Sequence, residues 1–150
     1  MRAILATLLA LLTVEAAVAA GLDADIPKAN RAILTSGRWT PSAEETQKAL
    51  VAIQAYLEKP DSIYEYQKLE IKKILKHTKE YRVQFVGMER DGKKYIWCNF
   101  FPVPRKGQED TFKDWKRQEV MMEDGGFRYW QIEYDPKTGK CHNFNSNWYA

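Results

Sequence analysis

Side chains that could perform nucleophilic or acid–base chemistry are few in this chain. Its cysteines are Cys98 and Cys141, and its histidines are His77 and His142. A cysteine activated by a nearby histidine is a common enzymatic nucleophile. Cys141 and His142 are adjacent in a predicted strand, where successive side chains point to opposite faces, so they cannot easily pair. Cys98 with His142 is geometrically open, and an enzyme built on this chain would have to use one of these two residues.

Metal and carboxylate sites have less support. Two cysteines and two histidines without short ligand spacings do not match a zinc site. The chain has no phosphate loop, nucleophile elbow or zinc-protease motif. We therefore predict no catalytic residues, no metal and no cofactor. Three acidic pairs lie in predicted turns, where acids are favoured for backbone bonding and solvation rather than catalysis: Glu89 with Asp91, Glu109 with Asp110, and Glu123 with Asp124.

The N-terminal segment indicates where the protein works. Residues 1–20 combine Arg2, an apolar run from Ala3 to Val14 and small residues at the end, which is typical of a secretory signal peptide. The apolar run is shorter than the roughly 20 residues that span a bilayer, and Glu15 interrupts it. We predict a periplasmic or secreted protein without an integral membrane span.

Charge and cysteine content narrow the partners. The net charge is +3, and the 23 basic residues are scattered among 20 acidic ones. Because they form no basic block, nucleic acid is not the expected partner. Since the protein is predicted to be exported, we expect its partner to be an envelope or extracellular protein. In an oxidising compartment the natural use of Cys98 and Cys141 is one disulfide, with two buried free thiols as the alternative.

The elements that position these side chains begin with a helix. Thr40 can cap its start, and Leu50, Ile53 and Leu57 form an apolar stripe at helical spacing. Residues 61–80 fit either a short second helix, which we favour, or an extended segment. From Tyr81 onward the apolar period is two, which predicts two antiparallel hairpins with turns at 90–93 and 135–139.

This order of elements predicts the fold class. We expect an α+β domain in which one long helix packs on an antiparallel sheet of about four strands. The predicted divisions are a signal peptide at residues 1–20, an extended arm at 21–38 and a single domain at 39–150.

Aromatic side chains supply the other candidate site. Tyr95 and Trp97 share one face of a predicted strand whose other face carries Ile96, Cys98 and Phe100, so both faces are apolar. One face meets the helix. The other is either covered by the arm and by residues 102–118 or left as an aromatic binding surface. The candidate surface comprises Tyr95, Trp97, Arg90, Asp91, Gly92, Lys93 and Trp130.

The order of a helix, the run Gln84-Phe85-Val86-Gly87 and a later hairpin that carries tryptophan resembles the cystatins over residues 37–149. Cystatins are exported inhibitors of cysteine proteases. The resemblance implies a cystatin-like fold and a wedge-shaped inhibitory surface. The motif here is Q-F-V-G, one residue shorter than the Q-x-V-x-G of cystatins, and the turn falls at Asp91-Gly92.

A second pattern in the C-terminal half is similar to small, uncharacterised bacterial exported proteins. It consists of Tyr, Gln, an aromatic residue and Gly before the three segments "DGKKYIWCNFF", "DGGFRYW" and "YDPKTGK". The resemblance implies an exported α+β domain and carries no known activity. The residues are Tyr81, Gln84, Phe85 and Gly87, followed by residues 91–101, 124–130 and 134–140.

The sequence therefore predicts an exported, non-enzymatic binding or accessory domain. The alternatives are a hydrolase inhibitor of the cysteine-protease type and an enzyme with a Cys/His site.

Overall fold

The computed structural model describes residues 21–61 and 63–149. The predicted signal peptide lies outside the described residues. Within them, no helix has both the length and the apolar character needed to cross a membrane. The helices are α1 (Leu22–Asp25), α2 (Ala43–Glu58) and α3 (Glu65–Lys76), and the strands are β1 (Arg31–Leu34), β2 (Tyr81–Arg90), β3 (Lys93–Pro102), β4 (Trp130–Tyr134) and β5 (Cys141–Ser146).

The strands form one five-stranded sheet in the order β1-β2-β3-β4-β5. The pairs β2–β3, β3–β4 and β4–β5 are antiparallel, so both predicted hairpins are confirmed. The first hairpin turns at Asp91 and Gly92, whose φ angles of 50° and 72° are the left-handed values that such a tight turn needs. β1 runs parallel to β2, with Arg31 opposite Val83.

The helices cover one face of this sheet. α2 begins with a capping box in which the Ser42 side chain accepts from the Glu45 amide and the Glu45 carboxylate accepts from the Ser42 amide. Ser42, and not the predicted Thr40, is therefore the cap. α3 confirms the short second helix, which buries Ile71 and Ile74. The main core lies between the helices and the sheet.

The centre of this core is aromatic. The rings of Phe100 and Trp130 stack with centroids 3.8 Å apart, and Tyr81 packs edge-on against both. All three side chains are almost fully buried. Trp130 was predicted to belong to a binding surface, and that prediction is wrong because its strand turns this side chain towards the helices.

The segment between β3 and β4 folds over part of the opposite face. Phe101 and Val86 pack there against Trp115 and Val120 in a second, smaller core. Phe112 contacts Phe101 edge-on, with centroids 5.7 Å apart. The other part of this face, near the β2–β3 turn, is left uncovered, and we call it the open face.

The predicted fold class is wrong in two respects. The described chain has two substantial helices instead of one long helix, and its sheet is mixed with five strands instead of antiparallel with about four. The extra strand comes from the predicted arm, where Ile33 packs on the main core while Ala32 and Leu34 belong to the second core. A four-residue strand carries too little periodicity to be recognised, and its partner β2 lies about 50 residues further along the chain. The expected arrangement of one long helix on an antiparallel sheet of about four strands is thereby excluded.

Candidate functional site: a groove on the open sheet face

The strands place a set of polar and aromatic side chains side by side on the open face. Register pairs Trp97 with Glu133 and with Val86, and Tyr95 with Met88. These residues alternate with others that point into the main core, which is the ordinary two-residue period of a strand. Trp97 is half-buried at the centre of the face.

Two neighbouring cavities flank Trp97. One, of about 450 Å3, lies on the side of β1 and β2, and the other, of about 320 Å3, lies on the side of β4 and β5. Trp97 and Met121 line both of them. We call the two cavities together the open-face groove. It crosses the strands, and the chain from Glu119 to Glu123 forms one of its walls.

Methionine is concentrated in this groove. Met88 lines the first cavity, Met122 lines the second and Met121 lines both. The chain has four methionines, of which the fourth is Met1. Every methionine that the structure describes therefore lies beside Trp97. Thioether side chains are flexible and polarizable, and they pack against ligands of varied shape.

The rim of the groove is acidic. Glu89, Glu119 and Glu123 are exposed there, and within residues 21–61 and 63–149 none of the three forms an ion pair. Arg38 is the one basic residue that lines the groove in the described chain. The groove is thus locally negative in a protein whose net charge is +3.

A fourth carboxylate is held differently. Arg90 donates two hydrogen bonds to Glu133, at 2.8 and 2.5 Å, and the Asn143 amide donates a third at 3.0 Å. The Arg90 guanidinium lowers the pKa of Glu133, against the opposing effect of burial. His142 lies 3.8 Å from the same carboxylate. This pairing makes Glu133 a structural anchor for the wall of the groove.

A β-bulge in β5 explains how His142 and Asn143 reach the same carboxylate. The β4–β5 register shifts between Gln131 and Glu133, and Asn143 has a φ of 54°. The extra residue turns two successive side chains towards the open face. Tyr95 then packs edge-on against His142, with ring centroids 5.1 Å apart.

The structure brings only part of the predicted surface together. Arg90, Tyr95 and Trp97 share the open face, and the Arg90 guanidinium lies 4.7 Å from the Tyr95 ring centroid. The turn residues Asp91, Gly92 and Lys93 are exposed beyond the end of the groove and line neither of its cavities. Trp130, as described above, is in the main core.

The two cysteines lie on the helix side of the sheet. Cys98 is in β3 and Cys141 in β5, both are free thiols, and β4 lies between them. Two interstrand spacings come to about 10 Å, whereas a disulfide tolerates a Cα separation of about 7 Å at most. The predicted disulfide is absent, and forming it would require a strand to move.

The candidate pair of Cys98 and His142 is separated by the sheet. Cys98 points into the main core, whereas His142 packs on Tyr95 at the open face. Burial also raises the pKa of Cys98 well above its usual value and that of Cys141 to about 12. A thiol with a raised pKa forms little of the nucleophilic thiolate at neutral pH. The fold therefore does not bring Cys98 and His142 together.

We expect neither thiol to react at the rate of a free cysteine in the folded protein. At pH 8, iodoacetamide should modify Cys141 slowly, because it is half-buried, and Cys98 only after unfolding. Mass spectrometry after denaturation without reductant should find both cysteines alkylated. If neither cysteine is alkylated in the denatured, unreduced protein, the disulfide does form.

Sequence reasoning missed the methionines and Glu133. The signals were present, since Met121-Met122 directly follows a segment with buried aromatic residues and Glu133 interrupts an apolar strand. Neither signal indicates which face of the sheet the rest of the chain covers. The groove is formed by the way residues 103–124 cross the sheet, and that path is not a local property of the chain.

No family model, no curated protein and no solved structure matches this chain. The similarity to small bacterial exported proteins therefore stays a prediction.

Proposed function

We propose that this protein is an exported, non-enzymatic binding domain whose open-face groove holds a positively charged, partly apolar segment of an envelope or extracellular protein. The observation that carries the proposal is the composition of the groove, in which three methionines and Trp97 form the floor and walls and exposed glutamates form the rim. Export rests on the N-terminal sequence pattern.

The floor suits apolar side chains. Methionine-rich surfaces can repack around partners that differ in shape, which is why adaptable peptide-binding proteins use them. Met121 is 75% exposed, so its side chain is available to a bound segment. A bound segment would cover Met121 and the outer edge of Trp97.

The rim supports a cationic ligand. Glu89, Glu119 and Glu123 form no ion pair in the described chain, so lysine or arginine side chains of a ligand would supply one. The same carboxylates would repel a phosphate backbone, which favours a polypeptide over a nucleic acid.

The length of the groove sets the length of the segment. From β1 to β5 the sheet has four interstrand spacings, or about 19 Å. An extended chain advances about 3.3 Å per residue, so about six residues would fill the groove.

The inhibitor alternative is less well supported. In cystatins the Q-x-V-x-G motif belongs to the inhibitory hairpin, whereas in this chain the turn falls at Asp91-Gly92, so Gln84 to Gly87 are expected inside a strand. Here they lie inside β2, where Gln84 and Phe85 are fully buried. The residues of the shortened motif are therefore not exposed to a protease.

A library of hexapeptides, screened against the purified protein by fluorescence polarisation, tests the proposal. We expect the best binders to combine lysine or arginine with apolar residues, and binding to weaken as salt is raised. The double variant Glu119→Lys, Glu123→Lys should weaken binding about tenfold or more, or by about 1.4 kcal/mol.

Glu58→Lys is a control with a single charge reversal. Glu58 is exposed at the end of α2, on the opposite side of the sheet, where a lysine is compatible with the helix dipole. Its binding should equal that of the unmodified protein. Equal affinity for neutral and cationic peptides, or no binding by any peptide in the library, would contradict the proposal.

A further inference from the structure

Four carboxamide side chains form a continuous ladder across the sheet. Register aligns Gln84 of β2 with Asn99 of β3, Asn99 with Gln131 of β4, and Gln131 with Asn145 of β5. Successive side chains are hydrogen bonded at 3.1, 3.2 and 3.2 Å. The ladder begins under the segment between β3 and β4 and ends at the open-face groove.

Backbone groups at the covered end of the ladder fix the direction in which its amides donate hydrogen bonds. The Gln84 Nε2 group donates to the carbonyl oxygens of Trp115 and Gln118, at 2.5 and 2.7 Å, and these can only accept. Gln84 Oε1 accepts from the amide of Val120 at 2.9 Å, and this amide can only donate. The orientation of Gln84 is therefore the only one that satisfies its neighbours.

The orientation of each amide along the ladder is fixed by its hydrogen bond to the preceding amide. Asn99 must donate its Nδ2 group to Gln84, so its oxygen accepts from Gln131, and the Gln131 oxygen in turn accepts from Asn145. The last group in the ladder is consequently an oxygen, Asn145 Oδ1. Among the described residues it has no hydrogen-bond donor.

Asn145 lines the 320 Å3 cavity of the groove together with Trp97, Trp148 and Glu123. Trp148 is 68% exposed. Its ring stacks on Tyr66, with centroids 5.0 Å apart, and this contact holds it in place. The cavity thus offers two indole rings, a carboxylate and an amide oxygen whose direction the ladder fixes.

We propose that this cavity is the subsite for an arginine side chain of the bound segment. The inference rests on the proposed function and specifies which residue of a cationic ligand anchors it. A guanidinium group would stack on an indole ring and donate hydrogen bonds to Asn145 Oδ1 and to the Glu123 carboxylate.

Arginine fits these groups better than lysine. Its guanidinium is planar, is weakly hydrated, stacks on aromatic faces and presents five donors in fixed directions. A lysine ammonium is more strongly hydrated and has no flat face to place against Trp148. Cation–π contact is strongest with tryptophan among the aromatic residues.

Three short peptides that differ in one residue test the subsite. They are acetylated and amidated Gly-Gly-X-Gly-Gly, where X is arginine, lysine or citrulline, the neutral analogue of arginine. NMR titration of the full-length protein should show the arginine peptide shifting the Trp148 indole N–H and the Asn145 side-chain amide. We expect its affinity to exceed that of the citrulline peptide about tenfold.

Two variants examine the residues involved. Asn145→Leu removes the acceptor and Trp148→Ala removes the exposed ring, and each should weaken binding of the arginine peptide. Leu69→Ala alters another exposed apolar residue, outside both cavities, and should leave that binding unchanged. Proton–nitrogen spectra establish that each variant is folded.

The outcomes separate the subsite from the general function. Equal affinity for the arginine and citrulline peptides overturns the arginine subsite, even if cationic hexapeptides still bind the groove. Binding of the arginine peptide that is unaffected by Asn145→Leu and Trp148→Ala also overturns it. If the arginine preference is found but no hexapeptide binds, the subsite stands and the proposed polypeptide ligand is wrong.

Discussion

Replacing Gln84 with leucine is expected to lower the free energy of unfolding by about 3 to 5 kcal/mol. Gln84 is fully buried and makes four hydrogen bonds, to Trp115, Gln118, Val120 and Asn99. Leucine has a similar bulk and satisfies none of them. Three backbone groups would lose their partners, and each buried polar group left unpaired costs about 1 to 3 kcal/mol.

Urea unfolding followed by tryptophan fluorescence measures this loss. The matched control is Asn145→Leu, which removes a carboxamide from the same ladder at its exposed end and should cost less than about 1 kcal/mol, because water can replace its single hydrogen bond. If both variants lost the same stability, Gln84 would not be the residue that holds the segment between β3 and β4 on the sheet.

The second large effect is expected from Gly87→Ala. A Cβ atom at this position would lie 2.0 Å from the backbone oxygen of Trp39, and one at Gly37 would lie 2.2 Å from the oxygen of Gly87. The two glycines cross where Arg38 donates a backbone hydrogen bond of 2.8 Å to Gly87. Because the neighbours are backbone atoms, a methyl group can be accommodated only by moving one chain segment.

We expect Gly87→Ala to lower the free energy of unfolding by about 3 kcal/mol or more, which is the upper end of the range for an overpacked core. Gly92→Ala is the control. A Cβ atom there meets nothing within 4 Å, so only its φ of 72° opposes the change, at a cost of about 1 to 2 kcal/mol. Gly87→Ala should also speed proteolysis near Trp39, since the segment 37–39 would detach from β2. Similar stability for the two variants would contradict the close approach of the two backbone segments at Gly87.

Gln84 and Gly87 have structural roles in the Q-F-V-G run. In the cystatin resemblance, this run corresponds to the Q-x-V-x-G motif of the inhibitory hairpin. In the structure, Gln84 anchors the segment between β3 and β4, and Gly87 permits the close approach of residues 37–39. Their residue types are therefore explained by packing and hydrogen bonding inside this domain.

The elements that local chemistry specifies were predictable. α2 follows from an apolar stripe at helical spacing, and the β2–β3 hairpin follows from alternating residues around Asp91-Gly92. The strand β1 was not predictable from its sequence, because four residues carry little periodicity and its pairing with β2 is long-range. Trp130 was misplaced for a related reason. An aromatic residue in a strand has the same periodicity whether its face meets helices or solvent.

The sequence by itself determined the periodicity, the turns and the assignment of Tyr95 and Trp97 to one face of a strand, because these depend on residues near one another in the chain. The tertiary structure decided which face the helices cover and how far residues 103–124 extend across the other. It also decided that three methionines and the end of the carboxamide ladder meet beside Trp97. These features depend on contacts such as the hydrogen bonds from Gln84 to Trp115, Gln118 and Val120, which join residues 31 to 36 positions apart. Such contacts are selected by how well whole surfaces pack, which no local pattern in the sequence records.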